Sequence, residues 1–124
     1  MPFTVTPDAV PGIVEVALTA PITEGDMIGA TAACASLQKQ TGAMAFLIDA
    51  NAWDAGGPLV ELYDIVSKQY GDLALDRRTR IAVLQPATAS GQEAARFYET
   101  LCRNRGWIAQ VCRDRAGAVA WLLG

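Results

Sequence analysis

The sequence predicts a single α/β domain whose mostly parallel sheet has about four strands joined by helical crossovers. Strand patterns alternate along the chain with helical patterns of about ten or more residues, which is typical of parallel strands connected by helices. The length of 124 residues is that of one domain. No linker, low-complexity stretch or repeat divides residues 1–124, so they are expected to form one structural unit.

The first half of the chain contains a strand, a helix and a second strand. Residues 12–18 alternate apolar and polar side chains, which is typical of a strand with one wet side near a sheet edge. An extra antiparallel N-terminal edge strand over residues 3–5, paired through the Pro11–Gly12 turn, is an option that the sequence leaves open. A helix is expected over about residues 24–40. Residues 44–48 form a continuous apolar run, which favours a strand covered on both faces.

A second helix and a second buried strand follow. Pro58 occupies a favoured first-turn position and Gly71 lies where the helical pattern ends. The expected core side of this helix is Leu59, Leu62, Val66 and Tyr70. Residues 81–84 are again fully apolar, which predicts a strand buried in the sheet.

The last quarter of the chain predicts a helix, a strand and a final helix. Ser90 and Glu93 have the spacing of a capping box at the start of a helix that ends at Gly106. Its expected apolar stripe is Ala94, Phe97 and Leu101. Residues 107–112 read as the last strand, and Asp114 is a suitable N-cap for a closing helix.

Composition excludes several classes of chemistry. The chain has no histidine, which rules out a Ser-His-Asp triad, a Cys-His pair and histidine ligation of a metal. The 13 acidic and 10 basic residues are unevenly placed: residues 1–76 carry a net charge of −8 and residues 77–124 one of +5. The chain has neither G-x-G-x-x-G after a strand nor G-x-x-x-x-G-K-[ST], the two sequence fingerprints of nucleotide binding. The basic cluster at 76–80 is too short to predict nucleic-acid binding in an acidic chain.

Cysteine usage and hydropathy predict a cytoplasmic protein without a transmembrane segment or signal peptide. The three cysteines are odd in number and lack C-x-x-C spacing, so a reduced setting is expected. Cys34 lies on an apolar helical stripe and is interpreted as a core residue. Cys102 lies near Arg103 and Arg105, which would lower the thiol pKa, whereas its place near a helix C-terminus would raise it.

The loop that follows the second strand is the most informative segment. Two carboxylates, an amide and an aromatic ring precede a glycine pair at a helix N-terminus. A helix N-terminus attracts anions, but the nearby Asp54 would repel a phosphate. The plainer interpretation is a helix cap, a core tryptophan and a glycine turn. These residues are Asp49, Asn51, Trp53, Asp54, Gly56 and Gly57.

This loop resembles that of the anti-sigma-factor antagonists, STAS domains of the SpoIIAA type, which carry Asp-apolar-Ser-x-apolar-Asp-Ser-Ser/Thr-Gly between a central strand and a helix. The matching positions are Asp49, Trp53, Asp54 and Gly57. In the family a kinase phosphorylates a hydroxyl residue before the glycine and so switches partner binding. Ala55 and Gly56 stand there in this chain, and Asn51 replaces the family's serine, so the phosphorylation switch is expected to be absent.

The chain is most similar to the divergent SpoIIAA-like (STAS-like) group, through this loop, the strand led by Arg80 and the ending Ala120-Trp121-Leu122. That group resembles the lipid-binding CRAL-TRIO fold in outline. The resemblance implies that residues 1–124 form one SpoIIAA-like domain, and it implies hardly any mechanism. The first hypothesis is a non-catalytic STAS-like interaction module with an unidentified protein partner and no cofactor or metal. The candidate ligand- or partner-binding residues are Asp49, Asn51, Trp53, Asp54, Ala55, Gly56, Gly57 and Tyr63.

Two further hypotheses concern association and ligands. If all helices lay on one face of the sheet, Phe46, Ile48 or Leu84 would leave the other face apolar, which favours a homodimer. Alternatively, an apolar pocket of roughly 300 Å³ or more between helices and sheet would hold a small lipid-like ligand near Trp53 and Tyr63. An enzyme using Asp49 and Asp54 as an acid–base pair would need a carboxyl group with a raised pKa.

Overall fold

One sheet of five strands organises the chain, and the strands lie side by side in chain order. The computed structural model describes residues 3–18, 24–51 and 65–124. The strands are β1 (Phe3–Val10), β2 (Ile13–Leu18), β3 (Ala45–Asp49), β4 (Arg80–Leu84) and β5 (Ile108–Cys112). The first pair is antiparallel and the other three pairs are parallel, which confirms the predicted α/β class with a mostly parallel sheet.

In the part of the chain that the structure describes, four helical segments connect or follow the strands. They are α1 (Glu24–Thr41), α2 (a π-helical turn Ile65–Gln69 that continues as Tyr70–Asp72), α3 (Ala89–Asn104) and α4 (Arg115–Leu123). Asp114 caps α4 as predicted, since its side chain accepts a hydrogen bond from the Gly117 N–H. The end of α3 also lies where the sequence places it, and Gly106 there has a positive φ of 83° that favours glycine.

The N-terminal hairpin confirms the optional edge strand and extends it. β1 runs from Phe3 to Val10 and pairs with β2 through a turn in which Gly12 has a φ of 84°. The register shifts between Pro7 and Val10. Because proline has no N–H to donate, this strand suits the edge of the sheet that it occupies.

The two faces of the sheet carry separate cores. Alternate strand residues, among them Val14, Phe46 and Ile81, pack with α1, α2 and α3 in the larger cluster. Their neighbours Leu47 and Leu84 pack on the other face beneath α4. The bare sheet face that would have favoured a homodimer is therefore covered by α4, and that particular reason for dimerisation does not hold.

Two details of α3 differ from the sequence prediction. The N-cap is Thr88, whose hydroxyl accepts a hydrogen bond from the Gly91 N–H at 3.1 Å, and Ser90 lies inside the first turn. Phe97 is 38% exposed, whereas Tyr98 is buried. The inward residues are Ala94, Ala95, Tyr98, Leu101 and Cys102, a stripe that excludes Phe97.

Side chains of α3 occupy the outer edge of β5. A carboxylate oxygen of Glu99 accepts a hydrogen bond from the Val111 N–H at 2.6 Å. Arg103 Nε donates to the Ala109 carbonyl at 3.1 Å. These bonds satisfy edge groups that could otherwise pair with a strand of another molecule.

Candidate functional site

The predicted loop begins in the structure at Asp49 and Asn51, at the carboxyl end of β3. Asp49 Oδ1 accepts a hydrogen bond from the Asn51 N–H at 3.1 Å, and the Asn51 carbonyl accepts one from the Ala87 N–H at 3.2 Å. Ala50 between them is buried and donates to the Leu84 carbonyl. In the described part of the loop these polar groups therefore stabilise a turn.

The remaining predicted site residues lie outside the residues that the structure describes. They are Trp53, Asp54, Ala55, Gly56, Gly57 and Tyr63. The structure therefore brings together only Asp49 and Asn51 of the predicted set.

Charged groups from the acidic and basic parts of the chain pair within the monomer. Arg115 in the first turn of α4 forms an ion pair with Glu15 on β2. The Arg115 guanidinium also has a favourable electrostatic interaction with Asp49. The Arg78 guanidinium bonds to Asp76 at 2.9 Å and holds the pKa of that carboxyl below its usual value. Both pairs are partly exposed, so each contributes little to stability.

The basic segment before β4, which contains Arg77 and Arg78, contacts the larger core through an aromatic ring. The guanidinium carbon of Arg77 lies 4.2 Å from the centroid of the buried Trp107 ring, and Arg77 also donates a hydrogen bond to the Arg105 carbonyl. This cation–π contact was not predicted from the sequence, since the two residues are separated by a whole helix and meet only in the folded chain.

A partly open apolar cavity of about 120 Å³ lies between the helices and the sheet, inside the larger core. Strand residues form its floor and residues of α1, α2 and α3 its walls. Its lining includes Val16, Phe46, Ile48, Ile81 and Val83 from the sheet, with Met27, Ala30, Thr31, Cys34, Tyr70, Ala95 and Tyr98 from the helices. The volume is smaller than the roughly 300 Å³ that a drug-sized or lipid-like ligand needs.

Two tyrosines that line the cavity are hydrogen-bonded to each other through their hydroxyl groups. The hydroxyls of Tyr70 on α2 and Tyr98 on α3 share a hydrogen bond, and only 6% and 7% of these residues are exposed. The Cys102 thiol also lies close enough to Tyr98 for each group to affect the pKa of the other. The Trp107 ring lies edge-on to Tyr70, with centroids 5.3 Å apart. Thr31 also lines the cavity, and its hydroxyl donates a hydrogen bond to the Met27 carbonyl at 2.8 Å.

Every lining group with a shifted pKa is held in its neutral form. Burial raises the pKa of the Cys34 thiol to about 12, and it raises the pKa values of Tyr70 and Tyr98 well above the ordinary tyrosine value of 10.0. Burial likewise raises the pKa of Cys102 to about 12, so the nearby arginines do not produce the thiolate that the sequence allowed for.

The tyrosine pair has a weak sequence signal. The sequence places Tyr70 on the core side of one predicted helix and Tyr98 within the next, and both tyrosines are packed in the core. Their helices are successive crossovers on one face of the sheet, so the two rings can meet. The hydrogen bond itself depends on the relative rotation of the helices, which no local pattern shows.

Comparison of the chain with protein families, with curated proteins and with solved structures finds no match to any of them. Within residues 3–18, 24–51 and 65–124, no helix has both the length and the apolar character needed to cross a bilayer. In the same ranges, no group of three or more His, Cys, Asp or Glu side chains is placed to hold a metal ion.

Proposed function

We propose that this protein binds a small, uncharged, apolar molecule in the cavity between its helices and the sheet, without transforming it chemically. The observation that carries the proposal is the cavity of about 120 Å³. Apolar cavities of ~150 Å³ hold a benzene-sized molecule, so a single ring is the expected size of the ligand.

The energetic cost of such a cavity supports a binding role. At about 24 cal/mol per Å³, a fully enclosed void of about 120 Å³ would cost on the order of 3 kcal/mol of stability, which is an upper bound for this partly open cavity. A domain of this size has a total stability of only about 5–15 kcal/mol. A ligand that fills the space restores many of the lost contacts and stabilises the folded state through binding.

The chemistry of the lining favours binding over catalysis. The described lining contains no charged side chain, and its shifted pKa values lie away from neutrality, so none of these groups exchanges protons readily at pH 7. A charged ligand would lose its hydration without a compensating partner. The STAS-like interaction role remains a second proposal, which rests on the resemblance of the loop at 49–58.

The proposal is tested by titrating the purified protein with benzene and following backbone amides by NMR. We expect saturable shifts at lining residues such as Ala30 and Ala95. Ala118 and Leu122 provide an internal control, because they lie on the opposite face of the sheet. Unchanged lining amides up to the solubility limit of benzene would overturn the proposal.

A further inference from the structure

The polarity of the cavity is confined to a small part of its wall. Most of the lining is aliphatic or aromatic carbon, and the Thr31 hydroxyl gives its proton to the Met27 carbonyl. Tyr70 on α2 and Tyr98 on α3 also line the cavity, and their hydroxyls bond to each other. A ligand in the cavity would therefore lie against these two tyrosines and a described lining that is otherwise mostly apolar.

The hydrogen bonds of the pair leave one of its members with unused capacity. A tyrosine hydroxyl donates one hydrogen bond and accepts at least one. The Cys102 thiol interacts with Tyr98, whereas among the residues that the structure describes the Tyr70 hydroxyl has Tyr98 as its one hydrogen-bond partner. Tyr70 can therefore accept a bond when it donates to Tyr98, or donate one when Tyr98 donates to it.

We infer that the ligand is a neutral, ring-sized molecule carrying one hydroxyl group, which the Tyr70 hydroxyl recognises by a direct hydrogen bond. This inference rests on the proposed binding function and adds the polarity of the ligand to it. A ligand hydroxyl suits Tyr70 because it can donate or accept, and so matches either direction of the Tyr70–Tyr98 bond. Burial raises the pKa of both tyrosines, so the recognising group stays protonated at neutral pH.

Benzene and phenol are the probes that separate this inference from the proposed function, since they differ by a single hydroxyl. In a purely apolar cavity the phenol hydroxyl would lose its water partners without replacement, and phenol would bind about tenfold or more weakly than benzene. With Tyr70 as a partner, we expect phenol to bind wild-type protein at least as tightly as benzene in calorimetric titrations.

Tyr70→Phe and Tyr98→Phe are matched variants, because each removes one hydroxyl of the same pair. In Tyr70→Phe we expect phenol affinity to fall about tenfold, with benzene affinity unchanged within about twofold. Tyr98→Phe leaves the Tyr70 hydroxyl available to the ligand, so phenol affinity should be kept. Benzene binding by both variants reports that the cavity is intact.

The outcomes distinguish the two proposals. If wild-type protein binds neither probe, the binding function itself is overturned. If it binds benzene but phenol at least tenfold more weakly, the function stands and recognition by Tyr70 is overturned. Equal phenol affinity in wild-type protein and Tyr70→Phe, or a loss of phenol binding in Tyr98→Phe alone, would also overturn recognition by Tyr70.

Discussion

Filling the cavity from α3 should stabilise the protein while it removes ligand binding. Ala95 lines the cavity, whereas the adjacent Ala94 is equally buried in the larger core but does not line it. The substitutions Ala95→Leu and Ala94→Leu therefore make the same chemical change in two different environments. Only the first adds its carbons to open space.

The expected magnitudes follow from this difference in space. Leucine adds three carbon groups, which contribute about 0.8 kcal/mol each on burial, and ordering its side chain costs about 0.5–1 kcal/mol. Ala95→Leu should therefore raise the free energy of unfolding by about 1.5–2 kcal/mol. Ala94→Leu has to displace packed neighbours and should lower it by about 1–3 kcal/mol.

Urea denaturation followed by circular dichroism measures both free energies, and benzene titration measures binding. Ala95→Leu should lose the rise in melting temperature that benzene produces in wild-type protein. The reasoning is refuted if Ala95→Leu destabilises the protein as much as Ala94→Leu does. Undiminished benzene binding by a folded Ala95→Leu variant would refute it equally.

Three further predictions concern the edge of the sheet, a helix cap and pH. Glu99→Ala leaves the Val111 N–H without its carboxylate partner, so we expect a loss of about 1 kcal/mol and greater self-association in light scattering. Thr88→Ala removes the N-cap of α3 and should cost about 1 kcal/mol in urea denaturation. The Cys34 thiol has its pKa raised from 9.0 to about 12 on folding, so its contribution to stability is fully present below pH 9.0 and is lost as the pH rises toward about 12. The pH slope of the unfolding free energy in that interval should be shallower in Cys34→Ala.

Matched controls sharpen these predictions. Glu93→Ala removes the same charge from an exposed position of α3, and it should leave self-association unchanged. Ser90→Ala tests the cap expected from the sequence, and it should cost much less than Thr88→Ala because the Ser90 hydroxyl does not cap the helix. Equal effects of the two hydroxyl removals, or no rise in self-association of Glu99→Ala over wild-type protein, would contradict the respective reasoning. An unchanged pH slope in Cys34→Ala would contradict the third prediction.

Much of the fold was predictable because its signals are local. The apolar run at 44–48 predicted a strand covered on both faces, and β3 is indeed buried between two cores. Asp114 and Gly106 marked helix ends because capping depends on backbone groups a few residues away. The predicted N-cap of α3, Ser90, was wrong, and the cap is Thr88. Both residues have a hydroxyl group, and only the start of the helix at Ala89 distinguishes them.

The candidate site was far less predictable. The residue types of the loop at 49–58 predict a binding site, whereas in its described part Asp49 and Asn51 form hydrogen bonds of a turn. The sequence predicts only packing roles for the two tyrosines, because nothing near either residue in the chain indicates that the other is its partner. Tyr70 and Tyr98 are 28 residues apart, and their bond depends on how two helices pack on the same sheet face.

The order of apolar, polar and capping residues determined the α/β class, the parallel crossovers and the positions of most elements, because these depend on periodicity and short-range hydrogen bonds. The missing histidines likewise excluded whole classes of chemistry from composition alone. Tertiary structure decided which face each helix covers, and so placed α4 over the face that holds Leu84. It also decided that α1, α2, α3 and the sheet leave a cavity between them, because packing depends on the volumes of side chains that meet only after the chain has folded.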